Sequence, residues 1–358
     1  MKSFKELDKK IPVGVLAATG MVGQRFIQLL ENHAWFEVVA ISGSTRSEGK
    51  PYGEICNWVL PEPMPEGVKP LIVQPTKPEN IGVSLVFSAL PSAAALDLEA
   101  GFAKAGVAVC SNASTYRNEP DVPILLPEVN PGHTNLLPVQ REKRGWSGLI
   151  VTNPNCTSTG FTIVLKALLD LIGIKRVFAT SLQAISGAGY PGVPSMDVIG
   201  NVIPYINGEE DKVESEPLKM LGELNDGIII PSKLTISAHA NRVAVVDGHV
   251  VCMSVELKEE VDLSVVENAL IKYAPEEVSQ NLPSTPVPVI QVRHEPDRPQ
   301  PRLDQNAGEG MTTVVGRLRP DPLFDYKMVV FSHNTIRGAA GGSIYNAELL
   351  VQEGYVTK

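Results

Sequence analysis

The sequence predicts an α/β protein with two domains, a parallel-sheet domain at the N-terminus and then an α+β domain with a sheet rich in antiparallel strands. Up to residue 155, apolar strand-like runs alternate with helical patterns, as they do where helices join parallel strands. A glycine-containing loop follows the first of these runs. Beyond residue 171, apolar and other residues alternate along two longer segments, which is the pattern of half-buried strands.

The elements of the N-terminal domain follow from apolar periodicity. After the first strand, Val22, Phe26, Leu29 and Leu30 fall on one face of a helix. Pro91 closes the third strand, because proline cannot continue a ladder of backbone hydrogen bonds. The predicted strands are 11–17, 38–41, 84–89, 107–110 and 149–152, and the predicted helices are 21–30, 93–105 and 158–171.

The second domain is predicted from four further segments. Residues 177–184 and 243–256 alternate as strands, and residues 209–221 form an amphipathic helix. Residues 282–302 are rich in proline and predict a long loop or extended segment. A helix at 339–352 returns to the first domain. We therefore expect a first domain at 1–155, completed by 337–358, and a second domain at 156–336.

Composition and charge exclude several classes of protein. The 358 residues carry a net charge of −9 and no dense basic run, which argues against a nucleic-acid partner. Four separated cysteines show no zinc spacing, so no metal is expected. Lys2, Lys5 and Glu6 precede no apolar signal region, and charges or proline interrupt every long apolar stretch. We expect a cytoplasmic protein that does not enter membranes.

The loop AATGMVG at 17–23 lies between a predicted strand and a predicted helix. It matches the dinucleotide-binding fingerprint of Rossmann-type domains, with alanine at the first glycine position. Gly20 lets the backbone approach a pyrophosphate, and Gly23 lets the helix pack closely on the strand. The N–H groups at the start of the helix then face the phosphates. This loop predicts a nicotinamide dinucleotide cofactor.

The end of the second strand selects between the two nicotinamide cofactors. An NAD enzyme usually places Asp or Glu there to accept from the ribose 2′-hydroxyl. This chain has no acid before Glu48 and carries hydroxyls and one cation, which suit a 2′-phosphate. The cofactor predicted from these residues is NADP, bound near Ser42, Ser44, Thr45 and Arg46.

Cys156 is the candidate nucleophile. It follows the strand at 149–152 and begins a helix, where the N-terminal partial charge is expected to lower the pKa of its thiol. Backbone N–H groups of the same turn could stabilise an oxyanion, and Asn155 adds a side-chain amide. The alternative, a buried structural cysteine, is assigned to Cys56, Cys110 and Cys252.

The run NPNCTSTG at 153–160 resembles the active-cysteine motif of aspartate-semialdehyde dehydrogenases, particularly those of the archaeal and fungal branch. The order Thr157-Ser158-Thr159 is a mild departure from the usual residues after the cysteine. The resemblance extends over nearly the whole chain, through 17–23, 112–130, 183–189, 209–221, 242–249 and 337–348. So many motifs in the same order are far more specific than any one of them.

The resemblance implies a reaction and a set of catalytic residues. Family members reduce an aspartyl β-phosphate with NADPH through a cysteine thioester, in the biosynthesis of lysine, threonine and methionine. Carried over, Cys156 is the nucleophile, His249 the acid/base residue, and Gln183 orients the substrate or thioester. Because Arg242 and His249 are seven residues apart, they would face opposite sides of one strand unless a turn intervenes. Asp247-Gly248 supplies such a turn.

The resemblance also implies how the substrate and cofactor are bound. Arg242 binds the substrate α-carboxylate, either Glu209 or Glu210 binds the ammonium, and Lys212 adds a phosphate contact. Asn112 and Arg117 form the main phosphate site. Without the resemblance, the charged cluster at 209–212 would be read as a solvated helix face. The implied cofactor contacts are Thr19, Gly20, Met21, Val22, Ser88, Ser186, Gly187, Asn334 and Gly341.

Three alternatives remain open from the sequence. A malonyl-CoA reductase would keep the cysteine, the histidine and the NADP loop on the same scaffold. An N-acetylglutamyl-phosphate reductase is disfavoured by the residues around Cys156. A non-catalytic NADP-binding regulator would not need Cys156, His249, Arg242 and Arg117 together. A homodimer or homotetramer is expected, with an apolar sheet face of the second domain as the contact surface. His33, His133, His239 and His333 are expected to be structural.

Overall fold

The first sheet contains six strands, all parallel, in the order β3-β2-β1-β4-β5-β6 in this computed structural model, which describes residue 4 and residues 7–356. Lys2, Lys5, Glu6 and the last two residues of segment 337–358 lie outside the described residues. The strands are β1 (Ile11–Leu16), β2 (Phe36–Ser42), β3 (Val73–Gln74), β4 (Leu85–Ser88), β5 (Ala108–Ser111) and β6 (Leu149–Thr152).

The second sheet is mixed, with the order β10-β7-β11-β14-β13-β12. The pairs β7–β10 and β12–β13 are parallel and the other three are antiparallel. β8 and β9 form a separate antiparallel pair. The strands are β7 (Ile174–Gln183), β8 (Glu223–Asn225), β9 (Ile228–Ile230), β10 (Thr235–Arg242), β11 (His249–Leu257), β12 (Ile290–Arg293), β13 (Thr313–Pro320) and β14 (Tyr326–Ser332).

Helices cover both sheets. Short 3₁₀ segments lie at Glu66–Val68, Pro131–Leu136, Ile185–Ala188 and Ala307–Gly310, and a π-helical turn lies at Ile336–Ala340. The α-helices are α1 (Met21–Leu30), α2 (Tyr52–Ile55), α3 (Pro78–Ile81), α4 (Ser92–Lys104), α5 (Leu137–Arg144), α6 (Cys156–Leu171), α7 (Ser195–Val198), α8 (Glu209–Met220), α9 (Leu263–Ile271), α10 (Glu277–Gln280), α11 (Pro301–Asp304) and α12 (Gly341–Gln352). Among the described residues, no helix is long and apolar enough to cross a membrane.

The last helix returns to the first sheet, as the sequence predicted. Ile344 and Tyr345 of α12 are buried in the same apolar core as Val13 of β1 and Phe87 of β4. A second core lies between α6 and the second sheet, where Phe161 packs with Val251. The nucleophile-bearing helix therefore starts at the first sheet and runs over the second.

The predicted strand at 243–256 is wrong at its start. β10 ends at Arg242 and β11 begins at His249, with a turn between them. Gly248 has a φ of +96°, and a Cβ there would lie 2.3 Å from the ring of Phe331, so only glycine suits this turn. Arg242 and His249 consequently lie on two strands that both flank β7. The intervening turn expected from Asp247-Gly248 is confirmed.

Candidate active site

Cys156 and His249 are in contact. Cys156 is the first residue of α6, and its Sγ lies 3.2 Å from Nε2 of His249, the first residue of β11. Cys156 keeps partial access to the cleft, whereas His249 is only 1% exposed. The predicted proximity of these two side chains at a helix N-terminus is confirmed.

Burial controls the protonation of this pair. It raises the pKa of Cys156 to about 12, with a further contribution from the carboxylate of Glu209, against the opposing effects of Arg117 and Arg242. Burial and then the charge of Arg242 lower the pKa of His249 to about 3. A neutral thiol therefore faces a neutral imidazole at pH 7. The expectation of a lowered thiol pKa is wrong for this structure, because desolvation outweighs the charge of the helix terminus.

Asn155 caps α6 by accepting from the backbone N–H groups that the sequence analysis assigned to an oxyanion. Its Oδ1 accepts from the N–H of Thr157 at 2.9 Å and of Ser158 at 3.3 Å. Its Nδ2 donates to both carboxylate oxygens of Glu209, at 3.1 and 3.0 Å. In this structure the N–H groups of Thr157 and Ser158 and the amide of Asn155 therefore already have partners within the protein. The backbone N–H of Cys156 opposes the rise in the pKa of its own thiol.

Glu209 and Glu210 point to different places. Glu209 is 7% exposed and accepts from Asn155 and, at 2.9 Å, from Nζ of Lys212. Oε1 of Glu210 accepts from the backbone N–H of Ala240 at 3.0 Å, on the edge strand β10, and the Glu210 side chain is exposed. Of these two residues, only Glu209 has a charge that acts on Cys156. The structure therefore distinguishes two residues that the sequence left as alternatives.

Arg117 is held in a fixed orientation. Its Nε and Nη2 donate to the carbonyls of Asn153 and Asn112, both at 2.9 Å. Its Nη1 donates to Oε1 of Glu216 at 3.0 Å, and the other carboxylate oxygen of Glu216 accepts from the N–H of Asn155 at 2.6 Å. One buried carboxylate thus orients both a cation and the turn that precedes the nucleophile.

Arg242 lies beside the Cys–His pair with little solvent contact. It is 6% exposed, and its Nη1 donates to the carbonyl of Ala184 at 2.6 Å. Among the described residues it makes no ion pair, so its charge is available to an anion. A Cβ at Gly187 would lie 3.0 Å from Nη1 of Arg242 and 3.3 Å from Cε1 of His249. Glycine at this position lets the loop after β7 approach both side chains.

One cleft of about 350 Å³ extends from Arg117, Cys156 and Lys212 to Val22 in the first turn of α1. Several residues implied by the resemblance form its wall, together with Asn155, Thr335, Gly338 and Ala339. These implied residues are Val22, Asn112, Arg117, Cys156, Ser186, Gly187, Lys212 and Asn334.

The loop before α1 has the shape of a dinucleotide cradle. Ala17 has a φ of +56°, and a Cβ at Gly23 would lie 2.4 Å from the carbonyl oxygen of Ala17, so the helix packs directly on the loop. Gly20 precedes the helix without a side-chain cap, which leaves the first N–H groups for an anion. The hydroxyl of Tyr52 donates to the carbonyl of Ala18 at 2.8 Å and holds the loop in place. A pyrophosphate fits this arrangement.

The residues predicted to bind the 2′-phosphate lie at the end of β2 and just after it, and they differ in burial. Ser42 is buried, and its Oγ accepts from Oγ1 of Thr76 at 2.9 Å. The neighbouring side chains are exposed and carry no negative charge, which fits an incoming phosphate. These exposed residues are Ser44, Thr45 and Arg46.

Three residues implied by the resemblance do not face the cleft. Ser88 is fully buried, and its hydroxyl donates to Glu99 at 2.6 Å, because it points back under α4. The amide of Gln183 donates to Oγ of Ser181 at 3.2 Å. Gly341 packs under Met311, whose sulfur would lie 2.7 Å from a Cβ there. None of these three residues lines the cleft.

In the part of the chain that the structure describes, none of the remaining cysteines and histidines lines the cleft. Cys110 is buried and Cys56 half-buried, but Cys252 is exposed on the outer face of β11, so the expectation of a buried thiol is wrong there. Nε2 of His33 lies 2.8 Å from Glu348, and His133 bonds Asn130 and a backbone carbonyl.

Two residues of the site were missed from the sequence. Glu216 follows Glu209 by seven residues, two helical turns along α8, so the spacing alone could have placed both on one face. Gly338 approaches the nucleophile from the π-helical turn, where a Cβ would lie 2.8 Å from Cβ of Cys156. No local pattern indicates this contact, because 182 positions separate the two residues.

The cleft extends from the start of α1, after the dinucleotide cradle, to Cys156, which contacts His249. This combination is characteristic of dehydrogenases that act through a cysteine. Comparison with known proteins agrees with it. Residues 12–136 match the family model for the semialdehyde dehydrogenase NAD binding domain, and residues 165–337 match the semialdehyde dehydrogenase dimerisation domain.

Relatives narrow the class to one family. The chain is 50% identical over 341 residues to aspartate-semialdehyde dehydrogenase of Archaeoglobus fulgidus, with 95% of this chain and 98% of that protein covered. It is 44% identical to the enzyme of Cryptococcus neoformans, with 97% and 98% covered. The crystal structure of the Candida albicans enzyme with NADP superposes with a TM-score of 0.89 at 42% identity, covering 97% of this chain and 100% of that one. The chain belongs to the aspartate-semialdehyde dehydrogenase family, a family of NADP-dependent oxidoreductases.

Proposed function

We propose that this chain reduces L-aspartyl 4-phosphate to L-aspartate 4-semialdehyde and phosphate, through a thioester on Cys156. The reaction belongs to the biosynthesis of lysine, threonine and methionine, and a cytoplasmic location suits it. The observation that carries the proposal is the 3.2 Å contact between Cys156 and His249, beside a cleft that Cys156 and Arg117 line, with the charge of Arg242 also acting on the thiol. A cysteine beside an imidazole is the arrangement that nucleophilic acyl transfer requires.

The charged groups of the site match the ends of this substrate. Arg242, buried without a carboxylate partner, would bind the α-carboxylate through its planar fork. Glu209 would accept the α-ammonium. Arg117 would bind the phosphate with N–H groups that its three fixed bonds leave over, beside Asn112 and Lys212.

The cofactor is NADP, and when bound as NADPH it supplies the hydride. The uncapped N-terminus of α1 would hold the pyrophosphate, and the exposed hydroxyls and cation after β2 would hold the 2′-phosphate. Ser186 and Asn334, which bond each other at 2.8 Å, would line the nicotinamide end near Cys156. The residues proposed to contact the cofactor are Thr19, Gly20, Met21, Val22, Ser44, Thr45, Arg46, Ser186, Gly187 and Asn334.

A substrate comparison tests this function. NADPH oxidation should be rapid with aspartyl phosphate and negligible with malonyl-CoA, because Arg242 and Glu209, whose charges act on Cys156, match the α-carboxylate and α-ammonium of an amino acid. Preference for malonyl-CoA would favour a malonyl-CoA reductase. Cofactor binding without turnover of either compound would favour a regulator.

The position of α12 and the exposed face of the second sheet support a proposal about the domains and their assembly. Segment 337–358 would complete the cofactor domain of residues 1–155, since α12 is buried in the core of the first sheet. Residues 156–336 would form the catalytic domain and a homodimer contact through the outer face of the second sheet, where Phe178 and Cys252 are exposed. Sedimentation of wild type and Phe178→Glu would test the contact, with a dimer expected to become a monomer.

A further inference from the structure

Lys219 lies in the last turn of α8, and its Nζ binds three backbone carbonyls. The oxygens of Arg117, Glu119 and Val122 accept from it at 2.6, 2.7 and 2.8 Å. An ammonium group has three N–H donors and no acceptor, so these three bonds use all of its donors. The Lys219 side chain is half-buried and does not line the cleft. Its effect on the site therefore passes through the backbone that it holds.

The backbone bound by Lys219 belongs to the segment that carries Arg117. Residues 112–122, all of them described by the structure, contain turns and no helix or strand. The N–H of Arg117 donates to the carbonyl of Ser114 at 3.2 Å, and the N–H of Val122 donates to that of Glu119 at 3.2 Å. Carbonyl oxygens that converge on one point repel one another unless a positive charge lies between them. Lys219 supplies that charge.

Helix α8 holds the side chain of Arg117 as well as its backbone. Glu216 precedes Lys219 by three residues, so both side chains lie on the same face of α8. Oε1 of Glu216 accepts from Nη1 of Arg117 at 3.0 Å. The guanidinium is thus bound through Glu216 and the carbonyl of the same residue through Lys219. A group that is already ordered loses little side-chain freedom when it binds an anion.

We propose that Lys219 is a positioning residue for the phosphate site, where its ammonium group takes the place of a bound monovalent cation and holds Arg117 in the orientation that meets the phosphate. The identity of the anion rests on the proposed function, in which Arg117 binds the phosphate of the substrate. The contact between Lys219 and the segment at 112–122 is a property of the protein alone.

The groups around Lys219 determine when its ammonium loses a proton. Burial lowers the pKa of Lys219 to about 8, against the opposing carboxylates of Asp121, Glu119 and Glu216. The other group that faces it is His133, whose pKa is lowered by burial, so this imidazole is neutral above pH 7. A neutral lysine has two N–H groups and a lone pair, and one of the three carbonyls then loses its donor.

The KM for phosphate tests this role, in the direction that consumes semialdehyde, phosphate and NADP. Lys219→Met keeps an unbranched side chain but has no N–H donor. We expect its KM for phosphate to rise about 10- to 100-fold, the effect of misplacing a binding group by about 1 Å. Lys272→Met removes the same charge at an exposed position after α9 and should leave this KM unchanged. A wild-type KM for phosphate in Lys219→Met would overturn the proposal.

Chemical rescue separates a positioning role from a merely structural one. Lys219→Ala opens a space for a free ammonium ion at the three carbonyls. Methylammonium, which has three N–H donors, should lower the phosphate KM of Lys219→Ala toward the wild-type value. Tetramethylammonium carries the same charge without an N–H and should have no effect at the same concentration. Equal effects of the two ions, or no effect of either on a variant that binds NADP normally, would overturn the proposal.

The pH dependence of the phosphate KM provides another readout. In wild type this KM should rise from about pH 7 to pH 9, as Lys219 loses its proton. Lys219→Arg keeps a positive charge over the whole range, so its KM should stay level. The same rise in both proteins would show that another group controls phosphate binding and would overturn the proposal.

A spectroscopic readout separates this inference from the proposed function. The Nε–H of Arg117 donates to the carbonyl of Asn153 at 2.9 Å, so its ¹H–¹⁵N signal should be protected from exchange with water. The signal is assigned by its loss in Arg117→Lys, and Lys219→Met should remove the protection without any substrate present. Protection that persists in Lys219→Met would overturn the proposal even in an active enzyme. Loss of protection in a chain that fails to reduce aspartyl phosphate would support the role of Lys219 and remove only the proposed function.

Discussion

Nζ of Lys212 lies 2.9 Å from Oε1 of Glu209, one turn away on α8. The two charges neutralise each other beside the nucleophile, while Asn155 donates to the same carboxylate. An incoming substrate ammonium would replace Lys212 on Glu209 and leave the lysine for the phosphate. Recognition of the two ends of the substrate would thereby be linked.

Glu209→Gln should therefore impair the enzyme far more than Glu210→Gln. We expect kcat/KM for aspartyl phosphate to fall on the order of 10- to 100-fold, the size of one charge-assisted hydrogen bond of about 1.5–3 kcal/mol. Glu210 is the matched control, because it neighbours Glu209 but faces the edge strand β10. Steady-state kinetics of both variants measure this difference. Equal decreases in kcat/KM would contradict the assignment of Glu209 to the substrate ammonium.

The thioester should form on Cys156 and on no other cysteine. Mixing wild-type protein with aspartyl phosphate in the absence of NADPH should add one acyl group, detectable by intact-protein mass spectrometry after acid quench. Cys156→Ala should abolish both the adduct and turnover, since no other residue can carry the acyl group. Cys252→Ala is the control, because Cys252 lies on the outer face of β11 and does not line the cleft. An adduct that survives in Cys156→Ala would refute the mechanism.

The parts of the fold predicted from the sequence are those with strong local periodicity. β6 agrees at both ends, and α12 returns to the first sheet as expected. β3 has only two residues, too few for any pattern to show. The start of the predicted strand at 243–256 was wrong because apolar alternation continues through the turn, which Asp247-Gly248 marks only at its end.

The site was predicted residue by residue through resemblance, but its electrostatics were not. The position of Cys156 at the N-terminus of α6 predicted a lowered thiol pKa, but burial raises that pKa instead. Burial depends on elements that meet only in the folded chain, such as Gly338, whose backbone covers the cysteine. Ser88 and Gln183 show the same limit, since a residue can occupy a family position while its side chain turns away.

Cofactor preference should depend on the exposed residues after β2. NADP should exceed NAD in kcat/KM with semialdehyde and phosphate, since hydroxyls and Arg46 replace the usual acid. Ser44→Asp should weaken NADP binding by repulsion of the 2′-phosphate. Ser264→Asp, an exposed site on α9, adds the same charge elsewhere and should leave binding unchanged. Titration of protein fluorescence with NADP measures both, and an equal effect of the two variants would contradict the site.

Arg242→Lys should lower kcat/KM by about ten-fold or more. Lysine keeps the charge but loses the planar fork that binds a carboxylate with two parallel bonds. The exposed Arg302 provides the control, since Arg302→Lys makes the same exchange on α11. Kinetics with aspartyl phosphate measure both variants. Wild-type kinetics for Arg242→Lys would show that another group binds the α-carboxylate.

Glu99 should make stability depend on pH near neutrality. It lies buried on α4, where Oε1 accepts from Ser88 at 2.6 Å and from Ser111 at 2.7 Å, and burial raises its pKa from 4.5 to about 7. Between pH 4.5 and 7 the folded chain holds a proton at this carboxyl that the unfolded chain has released. Stability contributed by this group is therefore present at low pH and is lost as the pH rises through 7.

Glu99→Gln removes that titration while keeping an oxygen for both serines. The free energy of unfolding of the variant, minus that of wild type, should increase by about 2–3 kcal/mol between pH 5 and pH 8, because only wild type must bury a charge at the higher pH. Urea unfolding at both pH values measures it. Glu79→Gln, which removes an exposed carboxylate from α3, controls for net charge. A difference between Glu99→Gln and wild type that stays constant across this range would mean that Glu99 does not titrate within it.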